Sequence, residues 1–149
     1  MAISAMEAAK IACQASGWNL SNLQLHKILY LAHLVYAGHH DGEKLIMDEP
    51  FQAWAYGPVL PNVYHQASRF GSGKIQDVFP DYAQRPSDDE GLQVIQSAVR
   101  NLLDVEPFRL VQITHEEGGA WDKAYKNGQN TVISQSDVNN EYQQRFVNQ

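Results

Sequence analysis

Six histidines and a scatter of carboxylates are the residues with which this chain could do chemistry. His39, His40, Asp41 and Glu43 share the stretch GHHDGE (38–43), which offers metal-ligand types within one loop. His26 and His33 share a helical face, but that spacing separates their Cα atoms by roughly 10 Å along the axis. One ion would need both side chains to lean strongly inward. His115-Glu116-Glu117 runs into Gly118-Gly119 and lacks the second histidine of an H-E-x-x-H zinc helix. The chemistry available to this set is metal-dependent hydrolysis by His33, His39, His40, Asp41 or His115. The spacing instead favours solvated or hydrogen-bonded histidines, with no metal ligand among them.

Other chemistries fare no better. GSGK (71–74) resembles part of a phosphate loop, but Ile75 stands where Ser or Thr should follow, and Ser68 where the first Gly belongs. There is no G-x-S-x-G. Cys13 falls near Ile3, Met6 and Ala9 on one helical face and reads as packing rather than as a nucleophile. The residues therefore predict no catalytic group and no cofactor.

A different pattern stands at WAYGPV (54–59), where two large aromatics run into a Gly-Pro step. On a strand over 51–56, Gln52, Trp54 and Tyr56 face one side and Phe51, Ala53 and Ala55 the other. Gly57 allows a backbone angle or close approach closed to other residues. Pro61 suits the first position of a helix. This block is expected to be mainly skeleton, with partner specificity on exposed side chains around it.

The elements that position these residues announce themselves through helix caps. Ser4/Glu7, Ser21/Gln24, Ser87/Glu90 and Ser134/Asp137 each place a polar side chain three residues after a serine. Leu20 with Leu25 and Ile133 with Val138 add hydrophobic staples. Helices follow at about 5–16, 22–37, 88–104 and 135–147, with Gly17 and Gly38 as stops. Further helices are expected from Pro61 to about 69, over 108–114 and over 120–126. In the Pro61 helix, Val63, Tyr64, Ala67 and Phe70 should turn inward. KIQDVF (74–79) is the expected partner of the strand at 51–56, and PDYAQRPSDDE (80–90) reads as a surface loop. Over 22–37, Leu25, Ile28, Leu29, Leu31, Ala32, Val35 and Tyr36 form one apolar arc. His26, Lys27, Tyr30 and His33 lie across from it, interrupted by Leu23 and Leu34. The expected fold is mainly α: one compact helical domain over 1–149 around the helix at 22–37, with a small sheet.

Bulk properties fit that reading. A chain of 149 residues folds as one core, burying roughly 70% of the surface its unfolded form exposes. The excess of 17 acidic over 11 basic residues gives a charge of −6, which argues against a nucleic-acid partner. A single cysteine allows no internal disulfide. Neither a signal peptide nor a membrane span is present in the sequence, so a cytoplasmic setting without membrane attachment is expected.

The blocks LQLHKILYLAHLVYAG, LIMDEPFQAWAYGPVLPNVYHQASRFG and ITHEEGGAWDKAY, in that order, resemble the Panacea-domain family of SocA-like antitoxins and phage-associated proteins. The resemblance extends over about residues 5–147. Its most specific positions are Lys27, Tyr30, Ala53, Trp54, Tyr56, Gly57, Pro58, Val59, Tyr64, His115 and Trp121. His26 stands where the family often has Gln, and Gly118-Gly119-Ala120 replaces a tighter approach to Trp121. The resemblance implies a compact helical antitoxin that binds and neutralises a toxin protein, encoded by an adjacent gene. It also implies that some members deliver the toxin to protease machinery. A small metal-dependent hydrolase is the competing reading.

Overall fold

The computed structural model describes residues 3–80 and 89–147. Its helices are α1 (Ala5–Ala15), α2 (Asn22–His39), α3 (Pro61–Ala67), α4 (Glu90–Leu102), α5 (Pro107–Thr114), α6 (Ala120–Lys126) and α7 (Gln135–Tyr142). A 3-10 turn, Ser68–Phe70, extends α3, and a π-helical turn, Gln143–Val147, extends α7. Three short strands, β1 (Gln52–Trp54), β2 (Gly57–Val59) and β3 (Thr131–Val132), form an antiparallel sheet in the order β2-β1-β3. The architecture is mainly α with a small sheet.

Helix starts follow local chemistry. Ser4, Ser21 and Ser134 each accept the backbone N–H three residues on, and Ser21 with Gln24 closes a full capping box. At α4 the cap is Asp89, which accepts from Gly91 and Leu92 N–H. Ser87 and most of the 80–90 segment lie outside the described residues. Both staples are buried.

Two expectations require correction. Gly38 does not stop α2; the helix runs to His39, and the left-handed step comes at Asp41 (φ 55°) and Gly42 (φ 85°). Gly38 instead gives way to a neighbouring ring, since a Cβ there would lie 2.2 Å from Tyr142 Cε1. Residues 74–79 are not a strand either. Lys74 makes one isolated bridge to Ser21, whereas β1 turns directly into β2 through Ala55–Tyr56 and takes β3 on its other edge. The nearest competing partner wins because a two-residue connection closes at little entropic cost.

Helix α2 is the axis of the molecule. It contacts α1, α4, α5, α7 and β2. Its apolar arc is buried at Leu25, Ile28, Leu29, Ala32 and Tyr36, and the opposite arc is equally buried at His26, Lys27, Tyr30 and His33. Leu31 and Val35 are only half-buried. Enclosing a polar arc requires a hydrogen-bond partner for each group on it, and those partners define the candidate site. Among the described residues no helix is long and apolar enough to cross a membrane.

Candidate partner-binding site

Separated sequence blocks meet where the β1–β2 hairpin crosses α2. Lys27 Nζ donates to Pro58 O at 3.2 Å. Burial pushes its ammonium down to about 7. Gly57 sits directly over this side chain with φ +122°, and a Cβ there would come within 2.8 Å of Lys27 Cε and 2.9 Å of Thr114 Oγ1. Glycine is what lets the hairpin close on both.

From the other side, α6 presents Trp121, whose Nε1 donates to Trp54 O at 2.8 Å. Its ring is sandwiched by His115 (3.6 Å, 6° between planes) and Tyr125 (4.7 Å, 15°). The His115 imidazole is bonded by the Tyr56 main chain, and burial, then the Lys27 charge, lowers its pKa. Its Nε2 is buried without a hydrogen-bond partner.

Burial divides the six residues of WAYGPV. Gly57, Pro58 and Val59 are buried, Trp54 is half-buried, and Ala55 and Tyr56 are exposed. Tyr56 forms the tip of the hairpin rather than the end of a strand, and its side chain is 64% exposed. Trp54 meets Tyr64 edge-on at 5.0 Å. Tyr64 stands at the surface instead of in the core, because the inward positions of α3 are Val63 and Ala67.

Tyr30 belongs to a second cluster. Its hydroxyl donates to Glu141 Oε1 at 2.7 Å, and Ala120 N–H donates to the same oxygen at 2.9 Å. Arg145 Nε lies 2.7 Å from Glu141 Oε2 and 2.9 Å from Glu116 Oε2. This buried carboxylate thus joins α2, α6 and the end of α7. Burial, followed by Glu141, pushes the Tyr30 phenol up.

The histidines of the hydrolase reading are engaged separately. His33 Nδ1 accepts Ile46 N–H at 3.4 Å and Nε2 meets Gln135 Oε1 at 3.0 Å, and burial takes its pKa down to about 4. His26 Nδ1 accepts Leu60 N–H at 3.1 Å, which leaves Nε2 as the donor to Asn22 Oδ1 at 2.9 Å. His39 meets the Tyr142 ring edge-on. His40 stacks on Tyr36 and bonds Tyr36 O and Glu90, so Asp41 is left at the turn. Among the described residues, no group of three or more His, Cys, Asp or Glu is placed to hold a metal.

Two cavities are relevant. One, about 500 Å³, opens beside the hairpin and is lined by residues including Leu23, His26, Lys27, Trp54, Tyr56 and Tyr64. The other, about 590 Å³, is walled by Leu31, Val35, Val94, Leu102 and Phe146, away from the motif residues. Size alone would choose the second. The first combines apolar walls with convergent polar groups, the usual character of a binding site.

Residues 25–122 match the family described as antitoxin SocA-like, Panacea domain. The chain belongs to that family. It is also similar to Antitoxin SocA of Caulobacter vibrioides (strain NA1000 / CB15N), with 30% identity over 123 residues. That match covers 76% of this chain and 64% of the relative, so it leaves about a third of the relative's length unmatched. No solved structure matches.

The Panacea motif positions are therefore not spread evenly. Lys27, Trp54, Tyr56, Gly57, Pro58, His115 and Trp121 gather at the hairpin, with Tyr64 against Trp54. Tyr30 lies in the Glu141 cluster. No local pattern pointed to Thr114, Glu141 or Arg145, whose roles depend on partners distant in the chain. Phe108, 64% exposed on α5 beside the pocket residue Pro107, was equally silent because nothing local distinguishes it.

Proposed function

We propose that this chain is an antitoxin that neutralises a cognate toxin protein by direct binding, through the face around the hairpin. The observation that carries this reading is an exposed aromatic tip on a heavily braced base. Tyr56 projects from a hairpin fixed by Lys27, Thr114 and Trp121. Rigid, solvent-facing aromatics offer large contact area with little entropy to lose on binding. Family membership points the same way. In this reading the module is non-catalytic and needs no cofactor, acts in the cytoplasm, and meets a toxin encoded by the adjacent gene.

The test is growth rescue. Expression of the neighbouring gene should arrest growth, co-expression of this chain should restore it, and the two proteins should co-purify. Failure to rescue and to co-purify would sink the reading. The toxin level during rescue separates two modes: a persistent, bound toxin indicates blocking, whereas a vanishing one indicates delivery to a protease.

A further inference from the structure

Lys27 is a buried lysine that faces no opposing charge among the described residues. Its ammonium has three donors, and one of them is used, on Pro58 O. No carboxylate among the described residues pairs with it, whereas Lys10, also buried, lies 3.4 Å from Asp77 Oδ2. The side chain is 1% exposed, yet it contributes to the lining of the 500 Å³ pocket beside the hairpin.

The pocket's other buried polar side chains are already satisfied. Asn22 Nδ2 donates to Tyr64 O and its Oδ1 meets His26, whose Nδ1 accepts Leu60 N–H. Lys27 is thus the group there with donors to spare. Leu23, Trp54 and Tyr64 supply apolar walls, and the exposed Tyr56 extends them onto the surface.

We propose that Lys27 is the seat for a carboxylate side chain of the toxin, an Asp or Glu that enters the pocket alongside the Trp54–Tyr64 pair. The proposal rests on the antitoxin reading and adds the chemistry by which the partner is recognised. A carboxylate supplies both the missing acceptor and the missing charge. The apolar walls exclude water around the pair and strengthen it. Exposed aromatics continuous with the pocket suit a protein surface that covers the pair once seated. Other charges acting near Lys27 do not compete for the anion, since His26 is held neutral by burial and His115 by burial and by Lys27 itself.

The test compares toxin binding by the full chain with that of Lys27→Met and Lys27→Gln, using calorimetric titration with thermal melting of each variant. Methionine keeps much of the length and relieves the burial of the amine while Pro58 O loses its donor, so Lys27→Met should stay folded and melt within a few degrees of wild type. Its affinity for the toxin should fall about thirtyfold or more. One Asp→Asn or Glu→Gln change on the toxin should reproduce the loss and add little to Lys27→Met.

If wild type binds while both variants bind within about threefold of it, the proposal is wrong and the antitoxin reading survives. If wild type neither binds nor rescues, both fall together. Retained toxin affinity in Lys27→Met, with sodium propionate binding that disappears in that variant, would assign the pocket to a free carboxylate and overturn the docking. Should Lys27→Met fail to fold, Lys27→Gln and the toxin-side substitutions decide the matter.

Discussion

Gly57 and Lys27 are in direct apposition: the backbone of one leaves no room for a side chain above the other, with 2.8 Å between a built Cβ and Lys27 Cε. The contact makes the hairpin and α2 one structural unit. Gly57→Val adds a strained φ of +122° to this overlap and to the one with Thr114 Oγ1. A loss of at least about 2 kcal/mol is expected in urea unfolding, and a fall of roughly 8 °C in Tm. A variant that melts like wild type would show that the hairpin can lift from α2 at no cost.

Stability and binding should separate among the aromatics. Trp121 is 8% exposed, stacked on both faces and hydrogen-bonded to Trp54 O, so Trp121→Ala should cost about 3–5 kcal/mol. Tyr56 is 64% exposed, and Tyr56→Ala should shift stability by no more than about 0.5 kcal/mol while weakening toxin binding. Paired denaturation and binding curves check this. Equal destabilisation by both would make the hairpin tip structural.

Glu141 is the buried anion of the Tyr30 cluster. Glu141→Gln retains the shape but removes the charge facing Arg145, and should cost roughly 3 kcal/mol. Tyr30→Phe, which removes the hydroxyl alone, should cost about 1–3 kcal/mol because an acceptor remains buried. A double-mutant cycle measures their coupling, and strictly additive losses would contradict a shared network.

Acid should destabilise the fold through His33. Its folded pKa, about 4, lies below the ordinary 6.5, so between those values the unfolded chain binds the extra proton. Stability is full above about pH 6.5 and declines as pH falls toward 4. His26, also lowered by burial, acts in the same direction. His33→Gln should reduce the slope of unfolding free energy against pH across this window. An unchanged slope would remove His33 from the account.

Lys27 acts in the opposite pH range. Its folded pKa of about 7 lies below the ordinary 10.5, so the unfolded chain holds the additional proton above neutrality and stability rises with pH. The rise is best measured between about pH 7 and 8.5, below the range in which the Cys13 thiol, pushed up to about 12 in the fold, works against it. Lys27→Met should lack that rise. If it keeps the same slope, the amine is not the titrating group.

The sequence by itself determined the helices, because caps, staples and apolar periodicity act within a few residues. Ser4, Ser21 and Ser134 start their helices as their local spacing dictates. It also carried the motif positions, one by one. Tertiary structure decided what is nonlocal: β3 as the second partner of β1, Gly38 as clearance for Tyr142, and Glu141 as the acceptor for Tyr30. Above all it decided that the polar arc of α2 faces inward. On an isolated helix, Lys27 belongs in water, where its charge is best solvated. In the fold, the hairpin and the helices around α2 enclose it, leaving Pro58 O as its acceptor and two donors unused. Periodicity could place Lys27 on a face, but only the packing of distant elements could make that face an interior.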